Sequence, residues 1–378
     1  MLFLSKSKRA IMNYSFPYSK NSNFPERYIS PEKLFSYLQY NYSNQITEIG
    51  KSGLGKPIYM MTLGNGNIRV AAWSQMHGNE STATLAMLDL LAITEKHPEL
   101  TDKLFSLIQL DFIFMLNPDG SETWSRRNAF DIDLNRDFIR TSSSEMRLLK
   151  SIILNGNYSY LLNLHDQRTI FTTDGVHPAT LSFLASSENI ERDVTENRKK
   201  SMAVIAAIYL QMKHVLPNRI AKYTDEFYPT SSGDNFMKSG IPSILIEGGF
   251  YENDLDRNKT REFYTQALYF ALKAMSVLKG DTLSYETYLD IPQNKESHFD
   301  LIYRNVKLNT EFECIMDIAV QYREILDENY KLTYQPYVIE VGDLNHKKAW
   351  QELDCTNKKF VSVKKFPKLD SLVDFKIE

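Results

Sequence analysis

The chain has 378 residues, 43% hydrophobic and 24% charged, more than one average domain needs, so two folded units are expected. Its net charge of −3, without long blocks of one sign, gives no electrostatic footprint for nucleic acid or an anionic membrane surface. Two cysteines, Cys314 and Cys355, are too few for a disulfide framework or a thiolate metal cage and leave one pairing open.

The N-terminal Met1 to Leu4 run is short, and Lys6, Lys8 and Arg9 follow it instead of preceding an apolar core, so no secretory signal is read and a cytoplasmic location is expected. No stretch approaches the roughly 20 apolar residues that cross a bilayer. Residues 1–44, rich in Asn, Ser, Tyr and Pro, read as an extension, with one helix opening at Ser30-Pro31-Glu32, where Ser caps and Pro takes the first helical position.

Ile58 to Leu63 and Ile68 to Trp73 are apolar runs separated by Gly64-Asn65-Gly66-Asn67, which predicts two strands joined in a tight hairpin. Thr82 to Thr94 has helical spacing, and Leu107 to Leu116 is strand-like and ends in Asn117-Pro118-Asp119-Gly120. The alternation continues with a helix near 143–154, a strand at 158–164, a helix near 191–212, a strand at 243–246 and a helix at 260–278. It predicts an α/β unit over 45–280, a mixed and largely parallel twisted sheet with helices on both faces. From 281 to 378, Tyr, Ile and Val alternate with charged residues, as in 312–320, 331–341 and 359–363, which predicts a small β-rich accessory domain.

Ligands bind at strand ends in open α/β sheets, and the notable polar residues fall there. His77 and Glu80 follow one strand, His165 closes another and Glu247 ends a third. His77 and Glu80 are three apart, so one helical turn puts them on a common face. Two His and one Glu with a fourth position open suit catalytic zinc, although His-x-x-Glu alone is a common pattern.

The conjunction is more specific. His77-Gly-Asn-Glu80, Asn117-Pro-Asp-Gly120, Arg126 ahead of Asp133-Leu-Asn-Arg136-Asp-Phe138, His165 after an apolar strand and Ile246-Glu247-Gly248 together resemble the M14 family of zinc carboxypeptidases over roughly 45–280. The resemblance implies one zinc per chain on His77, Glu80 and His165, lowering the pKa of a bound water toward ~7. It implies Glu247 as base and later acid, Arg126 as oxyanion stabiliser, and Asn135 and Arg136 as the clamp on a free C-terminal carboxylate. Arg126, rather than the adjacent Arg127, matches because the family places this arginine nine residues before the Asn.

Tyr228 matches the tyrosine that closes over the substrate, with Tyr223 and Tyr251 as competitors, and Asn235 falls near the pocket for the terminal side chain. Asn235 sets no clear charge preference there, although Asp234 beside it hints at a basic or amine-bearing group. Asn79 stands where digestive members have arginine, and Phe130-Asp131 replaces a common Asn-Gly, which leaves substrate choice open. The remaining histidines, His97, His177, His214, His298 and His346, read as surface or structural, with His177 on a loop rim.

A peptide or peptide-like substrate is therefore expected, with no nucleic-acid or membrane partner. Alternative readings are an N-acyl amino acid deacylase of the aspartoacylase or succinylglutamate desuccinylase type, a murein-peptide amidase, and a catalytically dead peptide-binding protein.

Overall fold

The computed structural model describes residues 16–308 and 314–378. The reading of Met1 to Arg9, most of the expected N-terminal extension's first third, and the opening of the strand expected from Phe312 lie outside the described residues.

Helix α1 (Pro31–Tyr42) begins as expected, with Pro31 first and Ser30 Oγ accepting from Lys33 N. An eight-stranded sheet follows, in the order β1-β2-β4-β3-β5-β9-β7-β8. Its strands are β1 (Ile46–Lys51), β2 (Pro57–Leu63), β3 (Ile68–Trp73), β4 (Ile108–Phe114), β5 (Tyr160–Asp166), β7 (Leu181–Ala185), β8 (Ile220–Lys222) and β9 (Ser243–Gly248), while β6 (Phe171–Thr172) lies outside it. The central strands β4, β3, β5 and β9 run parallel, and antiparallel pairings flank them.

The expected hairpin does not form. β4 sits between β2 and β3, antiparallel to the first and parallel to the second. Gly64-Asn65-Gly66-Asn67 instead carries the chain across the start of β4, where a Cβ on Gly66 would lie 1.8 Å from the Leu107 carbonyl carbon. The glycines there allow a close crossing rather than a two-residue turn. β1, β7 and β8 have no counterpart in the sequence reading.

The connecting helices are α2 (Thr82–Lys96), α3 (Pro98–Phe105), α4 (Pro118–Glu122), α5 (Ser144–Asn155), α6 (Glu196–Met212), α7 (Ser232–Lys238) and α8 (Asn258–Leu278). Strand alternation divides the core in two. Val70 and Ala72 of β3 pack in a large cluster with residues of α1, α2, α6 and α8, while Ala71 and Trp73 face Met146, Leu149 and Ile153 of α5 and Phe236 of α7. Buried Asp89 of α2 accepts from Arg261 of α8, Tyr18 Oη and Asn21 N, so the segment before α1 is locked to both helices.

Strand β10 (Lys295–Glu296) pairs with β6. A second sheet, β13-β12-β11-β14, is built from β11 (His298–Lys307), β12 (Ile315–Leu326), β13 (Leu332–Gly342) and β14 (Lys348–Asp354), and β15 (Phe360–Ser362) pairs with β16 (Phe375–Ile377). Its own core holds Ile318, Val320, Val338, Phe360 and Phe375. β11 and β14 have no counterpart in the sequence reading, and Cys314 and Cys355 are both free thiols. No helix among the described residues is long and apolar enough to cross a membrane.

Candidate active site

Two of the expected residues are delivered by the sheet. β5 and β9 are parallel neighbours in a register that sets His165 beside Glu247, and two residues earlier Asn163 beside Leu245. Side chains two apart share a face, so the four point to one edge region.

His77 and Glu80 lie on the bend after β3. Gln75, at φ 46°, turns the chain there, and its side chain ties the bend by donating to Gly78 O and accepting from Thr84 Oγ1. A Cβ on Gly78 would lie 2.1 Å from the carbonyl carbon of Gly120. The glycines of the two motifs thus pack back to back. Asn117 Oδ1 accepts from Gly120 N, so Asn117-Pro-Asp-Gly120 is the scaffold of the His77 bend.

His77, Glu80 and His165 converge, each offering one ligand atom, and these atoms lie within 4.8 Å of one another. His77 Nδ1 is 2.9 Å from Glu80 Oε1, His165 Nδ1 is 2.8 Å from Glu80 Oε2, and the two Nδ1 atoms are 3.1 Å apart. Zinc held at about 2.0–2.1 Å by tetrahedral nitrogen donors separates them by roughly 3.3 Å, close to the observed spacing. Asp133 Oδ1 lies 3.0 Å from His77 Nε2. A carboxylate can only accept, so it keeps the proton on Nε2 and leaves the Nδ1 lone pair aimed at Glu80. Lone pairs facing one another need a proton or a cation among them, and two imidazoles with a carboxylate are the donors zinc takes. The residues fit the metal.

The electrostatics agree. Burial would raise the Glu80 carboxyl, but His77 and His165 outweigh it and hold Glu80 well below the ordinary range. Glu247, 8% exposed, behaves oppositely. Burial, then Glu80 and Asp166, push its pKa well above the usual carboxylate value, and its Oε2 has no hydrogen-bond partner.

Arg126 Nη1 lies 3.1 Å from Glu80 Oε1 and its Nε donates to Asp133 Oδ2 at 3.2 Å, at the mouth of the site. Arg127 instead donates to Asp131 O and does not line the cavity, whereas Arg126 does. Asn135 Oδ1 accepts from the Ser232 amide and hydroxyl, which leaves its Nδ2 to donate outward. Arg136 is exposed, lies over the Tyr228 ring at 4.7 Å and makes no ion pair among the described residues. Of the competing tyrosines, Tyr223 lines the cavity and Tyr251 packs against Phe263.

One expectation is corrected. Asn235 does not line the cleft; its amide donates to Pro229 O and Ser231 O and holds the loop ahead of α7. Asp234 lines the cavity, and its carboxylate accepts from the amides of Tyr228 and Ser187 and the hydroxyl of Ser231. Asn163, Leu184, Ser186, Gly233 and Leu245 line the same cavity. Asn163 and Asp133 have no role in the sequence reading. Asp133 stands inside a quoted motif, and the need of a metal-bound imidazole for an acceptor on its second nitrogen was the available signal. Asp133→Asn should weaken zinc binding by about 10- to 100-fold with little change in melting temperature. Zinc competition against a chelator checks this, and wild-type affinity would remove Asp133 from the role.

A sequence model described as zinc carboxypeptidase matches residues 32–159. No curated protein matches the chain. Among solved structures, a metallo-carboxypeptidase from Burkholderia cenocepacia is 18% identical with a TM-score of 0.53, over 67% of this chain and 70% of that one. The carboxypeptidase A of Helicoverpa armigera is 17% identical with a TM-score of 0.53, over 72% and 78%. A metallo-carboxypeptidase from Pseudomonas aeruginosa, in complex with (2-guanidinoethylmercapto)succinic acid, is 14% identical with a TM-score of 0.52, over 68% and 70%. The structures share the fold, and the zinc carboxypeptidase sequence match, over residues 32–159, takes in His77-Gly-Asn-Glu80, Asn117-Pro-Asp-Gly120 and Asp133-Leu-Asn-Arg136.

Proposed function

We propose that this protein releases C-terminal residues from peptides by hydrolysis, with one zinc per chain on His77, Glu80 and His165. The observation that carries the reading is a cavity of about 620 Å³ lined by the triad, by Glu247, whose Oε2 has no hydrogen-bond partner among the described residues, and by Arg136, which has no ion-pair partner among them. Bound zinc supplies Lewis acidity, which acidifies water and polarises the scissile carbonyl. Glu247 takes the proton of the attacking water and passes it to the nitrogen of the leaving residue. Arg126 offers its guanidinium to the oxyanion. Arg136 binds the terminal carboxylate through two parallel hydrogen bonds, Asn135 Nδ2 adds a third, and Tyr228, stacked on Arg136, covers the pair. The family match to zinc carboxypeptidases favours this reading over the N-acyl amino acid deacylase.

A C-terminal peptide library followed by mass spectrometry tests the proposal. Amidated peptides should be cut at least ~100-fold more slowly than free acids, because they leave the Arg136 guanidinium without its carboxylate when Tyr228 covers the pair. Arg136→Ala should remove most of that difference while keeping its zinc. Equal wild-type rates on acids and amides would point to an endopeptidase. A γ-D-glutamyl peptide in the same library tests the murein-amidase reading.

A further inference from the structure

The second sheet also reaches the active-site cavity. Gln321, Tyr322, Arg323 and Glu324 of β12 line the cavity that holds His77, His165 and Glu247. They are fixed in place. Glu324 pairs with the buried Arg27 guanidinium and accepts from Trp124 Nε1. Tyr334 Oη donates to Leu255 O at 2.9 Å, and Trp350 Nε1 to Thr169 O at 2.9 Å. Trp350 stacks on His298 at 4.3 Å and tilts against Phe250 at 5.3 Å. The sheet therefore docks on the segments that follow metal ligand His165 and Glu247.

The contacts order the cavity. Arg136 and Asn135 join the metal triad through Asp133, whose Oδ1 accepts from Asn135 N and faces His77. On the other flank, Glu80 Oε2 accepts from Asp166 N, which opens the segment leading to Arg168 and Thr169, where β12 and Trp350 sit. A peptide with its carboxylate on Arg136 and its scissile bond at the triad extends its upstream residues toward β12. A central strand of a packed sheet, anchored by a buried ion pair, does not yield as a loop does.

We propose that β12 is an upstream wall that restricts the enzyme to short oligopeptides and excludes protein C-termini, an inference that rests on the carboxypeptidase reading above. The cavity, about 620 Å³, is the size that takes a drug-sized ligand, on the order of three or four residues. Gln321 Nε2, buried and without a hydrogen-bond partner, supplies a donor at that wall for a carbonyl of the substrate's first residue.

The test is kcat/KM on one C-terminal dipeptide extended upstream in steps from two to twelve residues. Rates should fall at least tenfold between about four and twelve residues. In Gln321→Ala/Arg323→Ala that ratio should shrink at least threefold, with zinc content and melting temperature confirming the fold. A flat length profile in the wild type would overturn the wall while leaving the exopeptidase activity intact. A profile unchanged in the variant would remove β12 as its cause. No cleavage at any length by zinc-loaded protein would instead sink the carboxypeptidase reading, and the wall with it.

Discussion

Glu247→Gln should lower kcat by about 10² to 10⁴ while zinc content and melting temperature stay at wild-type values. The amide keeps the shape of the carboxylate and sits in the same buried place on β9 beside His165, but it cannot take a proton. Glu247 makes no ion pair among the described residues, so the substitution does not strip one from the core. Peptide affinity measured by calorimetry on the inactive variant should remain, because Arg136, Asn135 and Tyr228 are untouched. Near-normal turnover would remove Glu247 from the reaction. Release of zinc would exchange its role with that of Glu80.

A still larger effect is expected from the ligands. His165→Ala and His77→Ala should each drop zinc from about one per chain to near zero after dialysis, with activity falling to background. Each removes one of three donors whose ligand atoms lie within 4.8 Å, and in His77→Ala the partly buried Asp133 also loses the imidazole it orients. Metal analysis of the dialysed variants decides the point: full zinc in both would place the metal elsewhere. Added zinc should restore the wild type stripped by chelator and neither variant.

Where local chemistry decides, the sequence reading and the structure agree. His77, Glu80, His165 and Glu247 come together because strand ends and a three-residue spacing are local properties, and the helix at Ser30-Pro31 follows from capping. Pairing partners are not local. Gly64-Asn65-Gly66-Asn67 has hairpin composition, yet the slot beside β2 is taken by β4, which arrives more than forty residues later. The short β7 and β8 lie among loops with little periodicity to announce them. Asn235 falls near the expected pocket along the chain, yet its place on α7 aims its amide at the loop carbonyls instead. The part of β12 in the cleft was beyond reach, since nothing within β12 records that Arg27 lies across from it.

That pairing has a consequence for how the molecule is made. Arg27 and Glu324 are 297 residues apart, and Arg261 reaches back 237 residues to Phe24 O. Contacts this distant form late, after a large loop-closure entropy has been met. A ribosome releases His77, Glu80, His165 and Glu247 before β12 has been synthesised. During that interval the nascent chain holds the parts of the reaction centre without its fourth side, and the buried guanidinium of Arg27 waits for a carboxylate that is among the last segments to emerge.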